Sequence, residues 1–362
     1  MASSRRVGIA FGIRIAAAAT IMVLGVISFV VTPASASGFV PAFVRPNALA
    51  PGNAPSGANP LGSVPGSQQL QLSVVLPPSN GPQLQTLLRN LNDPTSPEYH
   101  HWLRPGQFAA EFGPSSAEAA SVESWLHGTG LNQTTVSGFA VKVSAAASQV
   151  STALGTSFEQ YRAPSGHVGY LAQATPLVPQ SLAGGQITAI LGLDTVAQFQ
   201  PQSTPAPASS GGGGTLLQPN ADGLTPCAAA QSAAGSSYYT LDALGAAYGI
   251  GSLLADGQNG HGETIGVYEL ASHSATDVAT YESCFGLTNP VGTIQVDGGG
   301  GTVGGNGTFE ADLDIEQAAT QAPGATIISY EGPSSGTGPY DTWNAIVSAD
   351  AAQVVSTSWG EC

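Results

Sequence analysis

The spacing of apolar and polar positions changes several times along the chain, and each change marks an element. Residues 70–76 alternate apolar with polar, which predicts a strand, whereas 83–91 carry the wider spacing of a short helix. A loop rich in Pro and Ser at 93–97 leads to a helix over 105–112, and Pro114-Ser115-Ser116 opens another that runs to Gly128 with Ser as its cap. A strand over 139–143, a helix over 146–154 stopped by Gly155, and strands over 157–161, 169–172 and 187–193 complete this part. The succession is that of an α+β, ferredoxin-like domain, β-α-β-β-α-β, spanning 69–195.

Beyond it the pattern stops and then changes class. Residues 196–218 hold Pro201, Pro205 and Pro207 followed by a Ser-Gly run, an exposed linker within reach of proteases. From 219 to 362 strands alternate with helices: strands over 263–270, 293–297, 325–330 and 353–358, helices over 275–284, 309–322 and 339–351. That alternation predicts an α/β architecture, a parallel sheet with flanking helices. No helix follows the last strand, so the sheet is expected to continue in sequence beyond Cys362.

The amino terminus reads as a secretory signal over 1–36: Arg5, Arg6 and Arg14, an apolar run from 15 to 31, then Ala34-Ser35-Ala36. Cleavage after Ala36 would leave an exported protein without stable membrane association, opening on a flexible Pro/Gly/Ala/Ser-rich lead-in over 37–68. Lys and Arg total eight, and Arg162 is the last of them. Six of the 23 acidic residues precede Arg162 and 17 follow it, within a formal net charge of −15. Nothing in the second half could neutralise phosphates, which excludes nucleic acid as a partner. The acidity suits a low-pH medium, where protonation relieves self-repulsion, and equally suits ordinary solubility. Export makes disulfides plausible, but Cys227, Cys284 and Cys362 are an odd number, and the sequence leaves their pairing open.

The segment Glu310-Ala311-Asp312-Leu313-Asp314-Ile315-Glu316 carries the most chemistry. Its strict alternation also fits a strand, but Gln317-Ala318-Ala319 breaks the pattern, and its composition favours a helix. On a helix a four-residue step turns about 400°, stacking the Glu310 and Asp314 carboxyls on one face. Like charges that close raise one pKa and give acid–base equipment, although acids in a helix's first turn are also favoured simply by its dipole. The glycine-rich stretch 297–307 has no Lys to hold a nucleotide and reads as a surface loop. Gly332-Pro333-Ser334-Ser335-Gly336 has the form of a nucleophile elbow, but no histidine follows it. The six histidines, His261 and His273 among them, show no metal spacing and read as surface or loop residues.

Several of these motifs, in this order, resemble the sedolisins, the kumamolisin-like serine-carboxyl peptidases with a subtilisin-like fold. In the first domain these are Asp93-Pro94-Thr95-Ser96-Pro97-Glu98-Tyr99-His100-His101-Trp102-Leu103 and Ala153-Leu154-Gly155-Thr156-Ser157-Phe158; in the second, Val267-Tyr268-Glu269-Leu270, 310–316, Ala322-Pro323-Gly324-Ala325 and Ser356-Thr357-Ser358-Trp359-Gly360. The resemblance implies a secreted, acid-acting endopeptidase precursor with an inhibitory activation prodomain and polypeptide substrates. Glu310 would be the general base, Asp314 would share its proton, Glu269 would extend the network, and Ser358, Trp359 and Gly360 would form a substrate strand. The nucleophile motif, the oxyanion Asp and the Ca2+ site of the family would lie beyond Cys362, leaving this stretch inactive alone. Two rivals stand beside that reading: a secreted prodomain-like binding or inhibitory protein, and an α/β-hydrolase using Ser334.

Overall fold

The computed structural model describes residues 39–41, 52–183, 185–203, 224, 226–234, 240–305 and 307–360. The expected signal segment, most of the linker and Cys362 lie outside the described residues.

The first part is built on a four-stranded antiparallel sheet, ordered Thr134–Ser137, Ala140–Ala146, Gln69–Val75 and Ala189–Leu191. The alternation read from 70 to 76 holds: Leu70, Leu72, Val74 and Leu76 turn inward and are buried. They meet Val122 and Leu126 from the helix Ser116–Gly128 and Val150 and Leu154 from the helix Ala147–Leu154, in one apolar core. Ser115 caps the first of those helices in a full capping box with Glu118, and Gly155 ends the second in the left-handed conformation. A second antiparallel sheet, Asn59–Ser63, Phe158–Arg162 and Val168–Ala172, takes its first strand from the stretch read as a flexible lead-in. Its residues Asn59-Pro60-Leu61-Gly62-Ser63 are all exposed, so no apolar alternation announces the strand.

The second part is the expected parallel sheet, ordered Val291–Gln295, Thr326–Glu331, Thr264–Glu269 and Val354–Thr357. Ala275–Phe285, Thr308–Gln321 and Gly338–Ala349 are the helices between its strands. The two central strands are buried and rich in apolar residues, while the two outer strands are largely exposed. Helices at Ala228–Ala234, Leu241–Ala247 and Ile250–Ala255 precede the sheet, where the pattern announced none. A disulfide joins Cys227 to Cys284, tying the start of the first to the end of Ala275–Phe285.

The acidic segment is a helix, Thr308–Gln321, and the strand alternative falls away. Ala311, Ile315 and Ala319 are its fully buried stripe, packed toward the parallel sheet. Gly307 starts it at φ 96°, and a side chain there would collide with the Trp359 ring.

Candidate active site

Side chains at the carboxyl ends of neighbouring parallel strands converge, which is where open α/β sheets place their chemistry. Glu269 closes the strand Thr264–Glu269, and Ser358 and Trp359 follow Val354–Thr357, its neighbour in the sheet. The first turns of the helix Thr308–Gln321 bring Glu310 and Asp314 to the same place. Trp359 Nε1 donates to Glu269 Oε2 at 2.8 Å, and Ser358 Oγ donates to Asp314 Oδ1 at 2.8 Å. One short segment is therefore bolted to two of the three acids expected from sequence.

Two of the acids are shut away from water, Glu269 at 0% and Glu310 at 3% exposed, while Asp314 is partly buried. Burial pushes the Glu269 carboxyl up to about 9, the Asp314 charge adds to the rise, and the Trp359 bond opposes it. Asp314 is also raised, again by burial first, with the Ser358 bond pulling it down and the Glu310 charge pushing it up. Glu269 Oε1 and Asp314 Oδ2 are buried with no ordinary donor. Both facts are met if Glu269 keeps its proton at neutral pH and donates it in a hydrogen bond to Asp314, so that two carboxyls carry one negative charge.

The third acid faces the linker. Gln200–Pro201 pairs antiparallel with Trp359–Gly360, and Gln202 N donates to Ser358 O at 3.0 Å. Ser203 then turns its backbone N–H onto Glu310 Oε2 at 2.9 Å, and its hydroxyl donates to the same oxygen. The end of the first part thus lies along the strand expected to receive substrate. Ser203 escaped the sequence reading, since nothing local marks a residue whose partner stands 107 positions away.

Two further clusters were not read from sequence. His273 lies in a loop but not at the surface: its side chain is buried, Nδ1 lies 2.5 Å from Glu331 Oε1, and its backbone N–H donates to the same oxygen. Burial would raise Glu331, but these bonds outweigh it and hold the carboxyl below its usual range. Lys142, the chain's one lysine, leaves the first part to reach Asp297 Oδ1 at 2.8 Å and Asp341 Oδ2 at 3.2 Å. Ser73 Oγ donates to Asp341 at 3.0 Å, and Asn344 accepts from Phe139 N and donates to Ser137 O at 3.0 and 2.9 Å. These contacts dock the helix Gly338–Ala349 on the antiparallel sheet beside a cavity of about 500 Å³. The elbow serine, Ser334, makes its side-chain bond to the Gln198 amide at 3.4 Å, and its carbonyl accepts from Phe199 N at 2.8 Å. It is part of the bed under the linker, and its recorded side-chain partner is an amide, not a base.

Residues 56–196 match the family model described as Pro-kumamolisin, activation domain. Kumamolisin of Bacillus sp. (strain MN-32) is 30% identical over 314 residues, covering 83% of this chain and 52% of that protein. Sedolisin of Pseudomonas sp. (strain 101) is 27% identical over 318 residues, covering 84% and 50%. The family model covers the antiparallel first part, and the similarity to both relatives continues into the parallel-sheet part. The activation-domain match and the similarity to kumamolisin and sedolisin together support a sedolisin-family precursor. The chain spans about half the length of these relatives.

Proposed function

We propose that these residues are the activation domain and the acid half of the active site of a secreted, acid-acting serine-type endopeptidase with a subtilisin-like catalytic fold. Glu310 is the general base: it takes the proton of a serine hydroxyl as that oxygen attacks a peptide carbonyl, then returns it to the leaving nitrogen. Asp314 shares the resulting charge, and Glu269 supplies Asp314 with a hydrogen bond from its retained proton. Ser358, Trp359 and Gly360 hold the peptide as an added antiparallel strand. A carboxyl base stays usable in acid, where an imidazole would be permanently protonated. In this reading the serine and the oxyanion donor are the family motifs that the resemblance puts outside these residues, and an acyl-enzyme needs them.

The observation that carries this reading is Glu310, buried on the face it shares with Asp314 and already bonded to an amide N–H of a strand-paired peptide. The calcium ion implied by the resemblance enters no step. The described residues gather no group of three or more His, Cys, Asp or Glu that could hold it. In the full-length protein, Glu310→Gln is expected to lower kcat for peptide hydrolysis at acid pH about 100- to 10,000-fold. A variant that hydrolyses peptides at the wild-type rate overturns the reading.

A further inference from the structure

We propose that Gln202–Ser203 is the first bond cut when the activation domain is released, and that a residue with a free amide N–H is required on its carboxyl side. The inference rests on the peptidase reading above and goes beyond it by fixing the bond and its neighbours. Three observations select this bond.

The first is register. Gln200 stands opposite Gly360 and Pro201 opposite Trp359; the strand ends there, but the Gln202 amide continues the pairing to Ser358 O at 3.0 Å, and the next amide, Ser203 N–H, goes instead to Glu310. Pro201, which has no N–H, falls between the two bonding positions of an antiparallel ladder, where none is needed. The second is the proton path. A general acid must lie within hydrogen-bond reach of the nitrogen it will protonate, and Ser203 N is 2.9 Å from Glu310 Oε2. The third is fit: a side-chain carbon at Gly360 would press on the Gln202 carboxamide at 3.0 Å, so Gly360 leaves the space that the Gln202 side chain uses.

The step balances with groups already named. A serine Oγ–H bonds to the Gln202 carbonyl carbon while its proton passes to Glu310; the C–N bond then breaks, and Glu310 returns the proton to Ser203 nitrogen. The products are a Gln202 ester and a free Ser203 amine, and water hydrolyses the ester to the Gln202 carboxylate and regenerates the serine. Until then the Ser203 hydroxyl and amide both sit on the oxygen that must accept the proton, which holds the base engaged by its own linker.

The test is a quenched time course of the full-length precursor brought to acid pH, with intact mass and terminal sequencing of the earliest fragments. The expected pair is an activation-domain fragment ending at Gln202 and a partner fragment beginning at Ser203. Ser203→Pro, which removes the N–H on Glu310, should slow cutting at this bond at least about 100-fold. Ser203→Ala, which keeps it, should still be cut there. First fragments ending at another bond, from a precursor that goes on to hydrolyse added peptides, overturn this assignment and leave the peptidase reading standing. A precursor that neither processes itself nor hydrolyses any peptide in acid removes both.

Discussion

The two parts of the molecule bury different things. Among the described residues from 52 to 196, the buried side chains are apolar apart from Ser73 and Thr156, and they form a large core under an antiparallel sheet and a smaller cluster of Tyr161, Leu171 and Val196. From 240 to 360 the apolar clusters are smaller, and five acids are buried: Asp242, Glu269, Glu310, Glu331 and Asp341. The first part is organised for folding. The second holds groups that oppose its own stability at neutral pH, a cost that makes sense where buried carboxyls are the chemistry.

That contrast can be broken most forcefully in the first part. Leu126→Ala, at a fully buried core position with no polar role, should cost about 2–5 kcal/mol in urea unfolding. A cost below about 1 kcal/mol would mean that this core does not carry the domain. Next in size is the junction. Lys142→Met leaves Asp297 and buried Asp341 facing each other without their cation. Because the lysine side chain is 29% exposed, the expected loss at pH 7 is about 1–3 kcal/mol rather than the full penalty of a buried ion pair. Burial, and the carboxyl of Asp297 beside it, push Asp341 up to about 6. The same substitution should therefore cost less at pH 4, where Asp341 is protonated and the lysine faces one charge fewer. An equal cost at both pH values would contradict the shared-lysine account.

The smallest effect is the most particular to the second part. Glu269 at about 9 and Glu316 at about 8, the latter raised by burial and by Asp312 and Asp277, hold protons in the folded state that the unfolded chain, with ordinary carboxyls near 4.5, has released. Between those limits the folded state binds more protons, so this stabilisation is complete below about 4.5 and is lost as pH rises toward about 9. The melting temperature of this part should fall across that window. Glu269→Gln, which mimics the protonated acid, should flatten the slope and leave the low-pH value nearly unchanged. A wild-type melting temperature that rises from pH 5 to 8 would contradict the assignment.

Much of this was legible because it is local. Each strand and helix read from the spacing between 263 and 358 is present, its ends shifted by at most about three residues, since apolar periodicity and helix caps act over a few positions. The stacking of Glu310 on Asp314 followed from helix geometry alone. What escaped reading depends on chain closure. Lys142 meets Asp297 across 155 positions, and Glu331 finds His273 across 58, with no local pattern to announce either pair. The linker was read as an exposed tether because Pro and Gly dominate it, yet Gln200–Pro201 forms a strand: its backbone bonds are supplied by Trp359–Gly360, not by its own propensity.

The central claim is that Glu269 keeps its proton at neutral pH and shares it with Asp314 behind Glu310. Difference infrared spectroscopy of the wild type against Glu269→Gln at pH 7 measures this directly. The account predicts a protonated-carboxyl carbonyl band in the wild type that is missing from the variant. A difference spectrum at pH 7 showing the loss of a carboxylate pair of bands, with no protonated-carboxyl band, would contradict it.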